Sequence, residues 1–251
     1  MSYKGVDYSL YQGACKVLAT NNDYFPHFKS AGFYTLILEH CTYEHGLEYL
    51  KAIQEYFNIP EAECIHYSSL NDAIGNTLLF SYSPQLKCSP SSLRYIFHSH
   101  VILSYMKKSN LDNLRIVEVG GGYGGLLLAI LIFAEKFGIT IREYNIVDLK
   151  EANMIQQKFL SCYQVPAPYK LWDADTFGQD IVGDDLFFIS NYCFSEIDPQ
   201  LAKQYTEHLL PKCSHGFLVW NMRPFESFGK NVELEPEIPA IGNEDNLFVY
   251  F

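Results

Sequence analysis

The stretch RIVEVGGGYGGLLLAI, residues 115–130, decides the fold of this chain. An apolar run with one acid, Glu118, is followed by five glycines within six residues and then by helix-forming apolar residues. Glycine at this density would weaken a helix or a strand by roughly 0.5–1 kcal/mol per residue, so it needs a local reason. A strand, a glycine-rich turn and a helix in this order bring backbone amides close to a ligand, often a nucleotide. We therefore predict a ligand-binding unit here.

Three interpretations of the glycine turn are open. Gly120, Gly122 and Gly125 satisfy the dinucleotide fingerprint G-x-G-x-x-G, which is a weak signal by itself. The same stretch also contains E-x-G-x-G-x-G, from Glu118 to Gly124, which resembles motif I of the class I S-adenosylmethionine (SAM) dependent methyltransferases. That resemblance implies that the turn approaches the amino acid part of SAM, with Glu118 near the ammonium group. A tight turn without a ligand is the third interpretation, and the number of glycines counts against it.

Two acids bear on the choice of the methyltransferase interpretation. Glu118 stands inside a strand that should be buried on both faces, where a charge is costly unless a cation pairs with it. Asp148 ends the run YNIVD and can accept two hydrogen bonds from a ribose diol, which suits SAM and NAD equally. The resemblance implies a Rossmann-like α/β fold with a seven-stranded sheet, in which NLFVYF at 246–251 is the last, antiparallel strand.

The chain is expected to have two parts. Residues 1–90 are predicted to form a helical cap that shapes the substrate region, and residues 91–251 the SAM-binding methyltransferase domain. Turn-forming residues predict a loop over 71–90. Apolar residues at helical spacing form one stripe in the cap, at Leu47, Leu50, Ile53 and Phe57.

A further helix is predicted to follow the loop. A Ser and a Pro at its start and two lysines at its end predict this helix over 89–108. The pattern changes from Leu114 onwards. Strands then alternate with helices, which predicts a mostly parallel sheet with helices on both faces. The predicted strands are 115–119, 141–148, 169–173, 185–190, 216–221 and 246–251, and the predicted helices between them are 125–137, 151–163 and 199–210.

Composition disfavours several classes of protein. The net charge of −11 disfavours binding to nucleic acids and anionic membranes, because phosphate groups would be repelled. The N-terminal sequence is polar and mixed, unlike a secretory signal, and the longest apolar run, 126–134, is shorter than the roughly 20 residues of a membrane span. Seven scattered cysteines without a C-x-x-C pair predict reduced thiols and no structural zinc site. We therefore expect a cytoplasmic protein without a metal; no pattern indicates its oligomeric state.

The carboxyl ends of parallel strands meet at one rim of a sheet, where ligands of such folds bind. Residues at these ends are therefore candidate contacts, although each one alone could be a loop residue without a role. The predicted cofactor contacts are Glu118, Gly120, Gly121, Gly122, Tyr123, Asp148, Leu149, Asp173 and Asn191. The predicted substrate contacts are Arg94, Tyr192 and Arg223.

Several motifs together resemble one family. NDAIGN, SPSSLRY, VEVGGGYGG, IVDL and NYCFSEI are similar to the bacterial sugar O-methyltransferases associated with capsule and lipopolysaccharide genes, across roughly residues 25–225. The resemblance implies methyl transfer from SAM to a sugar hydroxyl, with a nucleotide-linked sugar as the substrate. The chain differs from the family pattern in being short after the fifth strand, so the substrate lid stays unassigned.

Methylation of a hydroxyl needs a general base, which typically contributes 10²–10⁴-fold. Glu196 is the first candidate because its loop follows a strand end; it could instead cap a helix, a role that suits Asp198. His98 is the second candidate, although Arg94 and His98 lie four residues apart and could form a solvated helix face. His100 shares an apolar stripe and is expected in the core. A histidine base would make the rate fall below a pKa near ~6.5.

Two other functions remain open at this stage. A chain with this fold could be a SAM-binding subunit without activity, although Glu118, the glycine turn and Asp148 are all intact, which counts against it. An N- or carboxyl-methyltransferase acting on a small molecule is the other alternative, because the cofactor site does not specify the acceptor.

Overall fold

The computed structural model describes residues 8–241 and 245–251, which contain eight α-helices and nine β-strands. The α-helices are α1 Ser9–Thr20, α2 Gly32–Ile37, α3 Tyr43–Ala52, α4 Glu61–Asn71, α5 Pro90–Lys108, α6 Gly125–Phe137, α7 Lys150–Leu160 and α8 Pro199–His208. The strands are β1 Phe80–Ser81, β2 Lys87–Cys88, β3 Leu114–Val119, β4 Ile141–Asp148, β5 Tyr169–Asp173, β6 Leu186–Asn191, β7 Cys213–Trp220, β8 Glu233–Pro236 and β9 Leu247–Tyr250.

Seven strands form one sheet in the order β5-β4-β3-β6-β7-β9-β8, and β1 and β2 form a separate hairpin. The first five are parallel, whereas β9 runs antiparallel to both of its neighbours. This confirms the predicted Rossmann-like α/β sheet and its antiparallel last strand. The strand order reverses between β3 and β6, and ligands of open α/β sheets bind outside the carboxyl ends at such a reversal.

Helix α5 is an inner helix. Its start follows the predicted capping, because the Ser89 hydroxyl accepts a hydrogen bond from the Ser92 amide at 3.1 Å. It packs against α3, α4 and α6. Arg94 and His98 are only 7% and 1% exposed. The solvated-face interpretation of these two residues is therefore wrong, since neighbouring elements cover this part of α5.

One hydrophobic core joins the helices before residue 90 to the sheet. Buried residues of both parts, among them Tyr34, Tyr67, Ile116 and Phe159, belong to the same cluster. The Tyr67 hydroxyl on α4 also donates a hydrogen bond of 2.8 Å to the Gly125 carbonyl at the start of α6. The division at residues 90 and 91 stays a prediction about domain organisation, and the two parts share their packing.

Four details differ from the sequence predictions. Strand β8 was not predicted, because its four residues are exposed and end in a proline, the pattern of an edge strand without an apolar face. The predicted loop at 71–90 contains the short β1–β2 hairpin. Leu47 is 40% exposed rather than part of a buried stripe. Helix α3 also continues into a π-helical turn at Ile53–Phe57, where the spacing changes from 3.6 residues per turn.

We expect the cap and the sheet to unfold in one transition, because they share a core. Both tryptophans lie in the sheet, Trp172 in β5 and Trp220 in β7, whereas helices dominate the far-ultraviolet circular dichroism. Urea unfolding followed by tryptophan fluorescence and by circular dichroism at 222 nm should give the same midpoint. Two separate midpoints would show that the cap is an independent domain.

Candidate active site

A cavity of about 580 Å³ opens at the carboxyl ends of the parallel strands, between the sheet and the helices before residue 60. Eleven of the predicted site residues line it: Arg94, His98, Glu118, Gly120, Gly121, Gly122, Asp148, Leu149, Asn191, Tyr192 and Glu196. Aromatic side chains supply much of the rest of its wall, from Tyr8, Tyr11, Tyr49, Tyr95, Phe177 and Tyr205. The structure thus brings together residues from the cap, the glycine turn and four strand ends.

The glycine turn between β3 and α6 needs glycine for its backbone. Gly120 has φ +79° and Gly122 has φ +58°, values that side chains rarely adopt. A Cβ atom on Gly120 would also lie 2.3 Å from the sulfur of Cys193. The turn therefore needs glycine at these positions. Gly120, Gly121 and Gly122 line the cavity.

Glu118 is a buried acid beside this turn. It is 2% exposed, and the Tyr144 hydroxyl donates a hydrogen bond of 2.9 Å to its Oε2. Burial raises the pKa of the Glu118 carboxyl to about 8, and the nearby Asp148 contributes in the same direction. No cationic side chain of the described residues lies within ion-pair distance of Glu118. A cation entering the cavity would therefore stabilise the ionised carboxylate.

Asp148 is the last residue of β4 and is half-buried. Its Oδ1 accepts a hydrogen bond of 2.8 Å from the Leu149 amide, and its Oδ2 one of 2.8 Å from the Gln156 side chain. Burial raises the pKa of the Asp148 carboxyl to about 7 even though these hydrogen bonds lower it. Gln156 also donates to the Gly122 carbonyl at 2.9 Å, so one amide fixes the acid and the glycine turn together.

Glu196 lies in the loop after β6 and is held by two donors. Its Oε1 accepts a hydrogen bond of 2.7 Å from the Asn221 amide, and its Oε2 accepts one from the Tyr8 hydroxyl. Asp198, and not Glu196, caps helix α8 by accepting a hydrogen bond of 2.9 Å from the Gln200 amide. Glu196 is therefore free of the helix-capping role and faces the cavity.

His98 faces the end of β6. Its Nδ1 lies 3.2 Å from the Asn191 amide nitrogen, and its Nε2 lies 3.5 Å from the Tyr192 hydroxyl. Burial, together with the charge of Arg94, lowers the pKa of His98 to about 3. The imidazole is therefore neutral at all ordinary pH values, which corrects the expectation of a rate change near pH 6.5 if His98 were the base. His100 lies in the core as predicted, with its ring centroid 4.5 Å from that of Phe133.

Tyr192 connects the cavity to a buried acid behind it. Its hydroxyl donates a hydrogen bond to Oε1 of Glu237, whose Oε2 accepts one of 2.7 Å from Asn246. Burial raises the pKa of the Glu237 carboxyl. Tyr192 has φ +58°, an uncommon conformation for a bulky residue. Such strain costs of the order of 1–3 kcal/mol and clusters at functional sites.

Three predicted site residues lie outside the cavity wall. Tyr123 turns into the aromatic core, where its ring centroid is 5.0 Å from that of Phe159. Asp173 caps a short 3₁₀ turn by accepting a hydrogen bond of 3.2 Å from the Asp175 amide, and Asp175 reaches the cavity instead. The Arg223 guanidinium packs on the ring of Trp220, 5.2 Å from the ring centroid, and Arg223 does not line the cavity.

Sequence reasoning missed two residues, Tyr8 and Glu237. Tyr8 approaches Glu196 across 188 positions of the chain, and Glu237 approaches Tyr192 across 45. Neither contact follows from a periodic pattern, since both depend on how the chain ends fold over the cavity. The only signal was the high tyrosine content, which does not single out one position.

Residues 8–241 and 245–251 contain no cluster of three or more His, Cys, Asp or Glu side chains that could hold a metal ion. Among the helices of this part of the chain, none combines the length and apolar character needed to cross a bilayer.

No protein-family model matches the chain, and no curated protein matches it. Solved structures are similar to it at low identity. One is the CMeT domain of the citrinin polyketide synthase, with 14% identity and a TM-score of 0.48 over 97% of this chain and 66% of that chain. A second is the methyltransferase domain of bacterial CtHen1, with 14% identity and a TM-score of 0.46 over 61% of this chain and 96% of that chain.

A third is a SAM-dependent methyltransferase from Aquifex aeolicus, with 12% identity and a TM-score of 0.44 over 62% of this chain and 89% of that chain. The chain spans only about half the length of some other methyltransferase structures that it matches. Likenesses this distant do not transfer an activity or a substrate. The chemistry has to follow from the residues of the cavity, and the resemblance to sugar O-methyltransferases stays a prediction.

Replacing Glu118 by Gln is expected to stabilise the protein relative to wild type, by an amount that increases with pH. The carboxyl has a pKa of about 8 when folded and near 4.3 when unfolded, so between these values only the unfolded chain is ionised and a higher pH favours unfolding. Gln cannot ionise and still accepts the hydrogen bond from Tyr144. Thermal melting without added cofactor should show a gain of the variant over wild type that grows from pH 5 to pH 8, by roughly 2–4 °C per kcal/mol.

Glu143→Gln is a matched control with the opposite sign. Burial opposes the ionisation of Glu143, but hydrogen bonds from Lys170 and Asn145 outweigh it and lower the pKa of that carboxyl. The ionised Glu143 carboxylate stabilises the fold at pH values above the pKa that this carboxyl has in the unfolded chain. Glu143→Gln should therefore have a lower melting temperature than wild type at pH 8. Equal melting temperatures of Glu118→Gln and wild type at both pH values would contradict the raised pKa.

Proposed function

We propose that the protein is a SAM-dependent O-methyltransferase that methylates a hydroxyl of a nucleotide-linked sugar in capsule or surface polysaccharide biosynthesis. One observation carries the cofactor assignment. Two acids with raised pKa values, Glu118 and Asp148, lie at the carboxyl ends of the neighbouring parallel strands β3 and β4. The glycine turn beside them has positive φ angles. The sugar assignment rests on the sequence motifs, and a cavity rich in tyrosine suits a sugar-like ligand.

The residues of the cavity fit SAM. Glu118 would pair with the ammonium group, the amides of Gly120 to Gly122 would approach the amino acid part, and Asp148 would accept hydrogen bonds from the ribose. Leu149 and Phe177 also line the cavity and would offer apolar surface to the adenine. When bound, SAM supplies a methyl group on a sulfonium, which is already a good leaving group. The protein therefore has to align the acceptor oxygen and remove its proton.

NAD fits this site less well, although the dinucleotide fingerprint is present. Its pyrophosphate would have to lie at the glycine turn. The Glu118 carboxyl lies beside this turn, and once ionised it would repel the pyrophosphate. The ammonium group of SAM has the opposite preference, so Glu118 discriminates between the cofactors, whereas Asp148 suits the ribose of either.

Tyr192 and Glu237 supply the best path for the proton. The acceptor hydroxyl would give its proton to the Tyr192 oxygen while the Tyr192 proton passes to Glu237, so that charge and protons balance. Glu237 is buried and its pKa is raised, which makes its ionised form a good proton acceptor. Glu196, the first candidate from the sequence, stays a prediction; donors from Tyr8 and Asn221 already occupy both of its oxygens. His98 would position Tyr192, since burial keeps it neutral and weakly basic.

Calorimetry should detect binding of SAM and S-adenosylhomocysteine, and not of NAD. Asp148→Ala should weaken SAM by roughly 2–4 kcal/mol, because a charged acceptor of buried hydrogen bonds is lost. Asp173→Ala is the matched control: it removes the acid paired in register on the next strand, outside the cavity wall, and should leave the affinity unchanged. Tight NAD binding without a SAM signal would overturn the cofactor assignment.

The proton path is tested with labelled SAM and a panel of nucleotide sugars, which also identifies the acceptor. Glu237→Gln and Tyr192→Phe should each lower kcat by about 10²-fold with little change in SAM affinity. Glu196→Gln should lose less than about tenfold, and His98→Asn should leave the pH–rate profile unchanged between pH 5 and 8. A large loss confined to Glu196→Gln would restore Glu196 as the base. Transfer to none of the sugars would refute the acceptor class.

A further inference from the structure

Among the described residues, the wall of the cavity combines five acids with one arginine. The acids are Glu118, Asp148, Asp175, Glu196 and Asp198, and the arginine is Arg94. Arg94 lies among aromatic rings, and its charge, together with burial, lowers the pKa of His98. The ammonium and sulfonium groups of SAM suit the acids beside the glycine turn, and in the proposed function Arg94 is left for the acceptor.

Arg94 is a buried cation that has no counterion among the residues that the structure describes. Its side chain lines the cavity although the residue is only 7% exposed, and one N–H donates a hydrogen bond of 3.0 Å to the Leu38 carbonyl. The guanidinium carbon lies 5.6 Å from the ring centroid of Tyr95 and 5.7 Å from that of Tyr192. Within residues 8–241 and 245–251, no carboxylate lies within 4.0 Å of it. A guanidinium remains charged in a protein, so its burial is costly unless an anion pairs with it.

The nearest acids do not fill this role. Glu39 and Glu237 both sense the charge of Arg94, but each is held elsewhere. Glu39 accepts a hydrogen bond of 3.1 Å from the Thr77 hydroxyl, and Glu237 accepts hydrogen bonds from Tyr192 and Asn246.

We infer that the methyl acceptor carries an anionic group, a phosphate or a carboxylate, that pairs with Arg94 in the cavity. This inference rests on the proposed function, since it assigns the acids of the cavity wall to SAM. The planar guanidinium can donate two parallel hydrogen bonds to either anion, and the flanking tyrosine rings hold its plane. A phosphate would come from the nucleotide link of the sugar, and a carboxylate from an acidic sugar.

Thermal melting of the whole chain saturated with S-adenosylhomocysteine distinguishes these sources. Glucose 1-phosphate and UDP-glucose probe the phosphate, glucuronate probes the carboxylate, and glucose is the neutral reference, all at matched ionic strength. We expect at least one anion to raise the melting temperature of wild type more than glucose does. Arg94→Met should weaken its binding by about tenfold or more, while the gain with S-adenosylhomocysteine is kept.

Two further variants complete the test. Arg94→Lys keeps a charge without the planar fork, so its anion affinity should lie between wild type and Arg94→Met, which also covers the case that the methionine variant does not fold. Arg142→Met changes an exposed arginine that is paired with Asp185 at 2.5 Å and does not line the cavity, and it should behave as wild type.

Each outcome decides one point. A gain with the phosphate probes or with glucuronate that is lost in Arg94→Met supports the inference and names the source of the anion. Anion effects no larger than that of glucose, or unchanged in Arg94→Met, would overturn it. The anion probes are also run without S-adenosylhomocysteine. If S-adenosylhomocysteine does not raise the melting temperature of wild type, the cofactor assignment is refuted. The role of Arg94 is still tested in that case, by the melting temperatures with the anions alone.

Discussion

The burial of helix α5 is the constraint on which the site depends. This helix packs against α3, α4 and α6, and all of its residues from Pro90 to His100 are buried. Arg94 and His98 belong to this buried part and line the wall of the cavity. The same packing joins the cap to the sheet in one core, which fixes the distance between the helices and the strand ends.

The cavity places acids where burial makes them hard to ionise. Glu118, Asp148 and Glu237 all have raised pKa values because they are removed from water, and each lies on or beside a strand of the sheet. Such groups reduce the stability of the fold at neutral pH. Rigid strand ends hold them in place despite this cost, which is the arrangement expected where a ligand supplies the missing charge or a proton has to be accepted.

The wall of one cavity carries groups of opposite charge. In the proposed arrangement the acids pair with the cationic groups of SAM and the Arg94 guanidinium pairs with an anionic acceptor, so each ligand is disfavoured at the other's position. Tyr192 stands between His98, Arg94 and Glu237, and its strained backbone keeps its hydroxyl there. The strain is compensated by the surrounding packing and not by local sequence.

The sequence by itself determined the sheet, the glycine turn and the positions of Glu118 and Asp148, because strand patterns and glycine conformations are local properties of the chain. It also placed His100 in the core and Asp198 at a helix cap. Only the tertiary structure decided that Arg94 and His98 are buried, that Tyr123 turns into the core and that Asp175 replaces Asp173 at the cavity. It alone brought Glu237 to Tyr192 and Tyr8 to Glu196, because contacts between distant segments depend on how packed elements cross and leave no periodic signal in the chain.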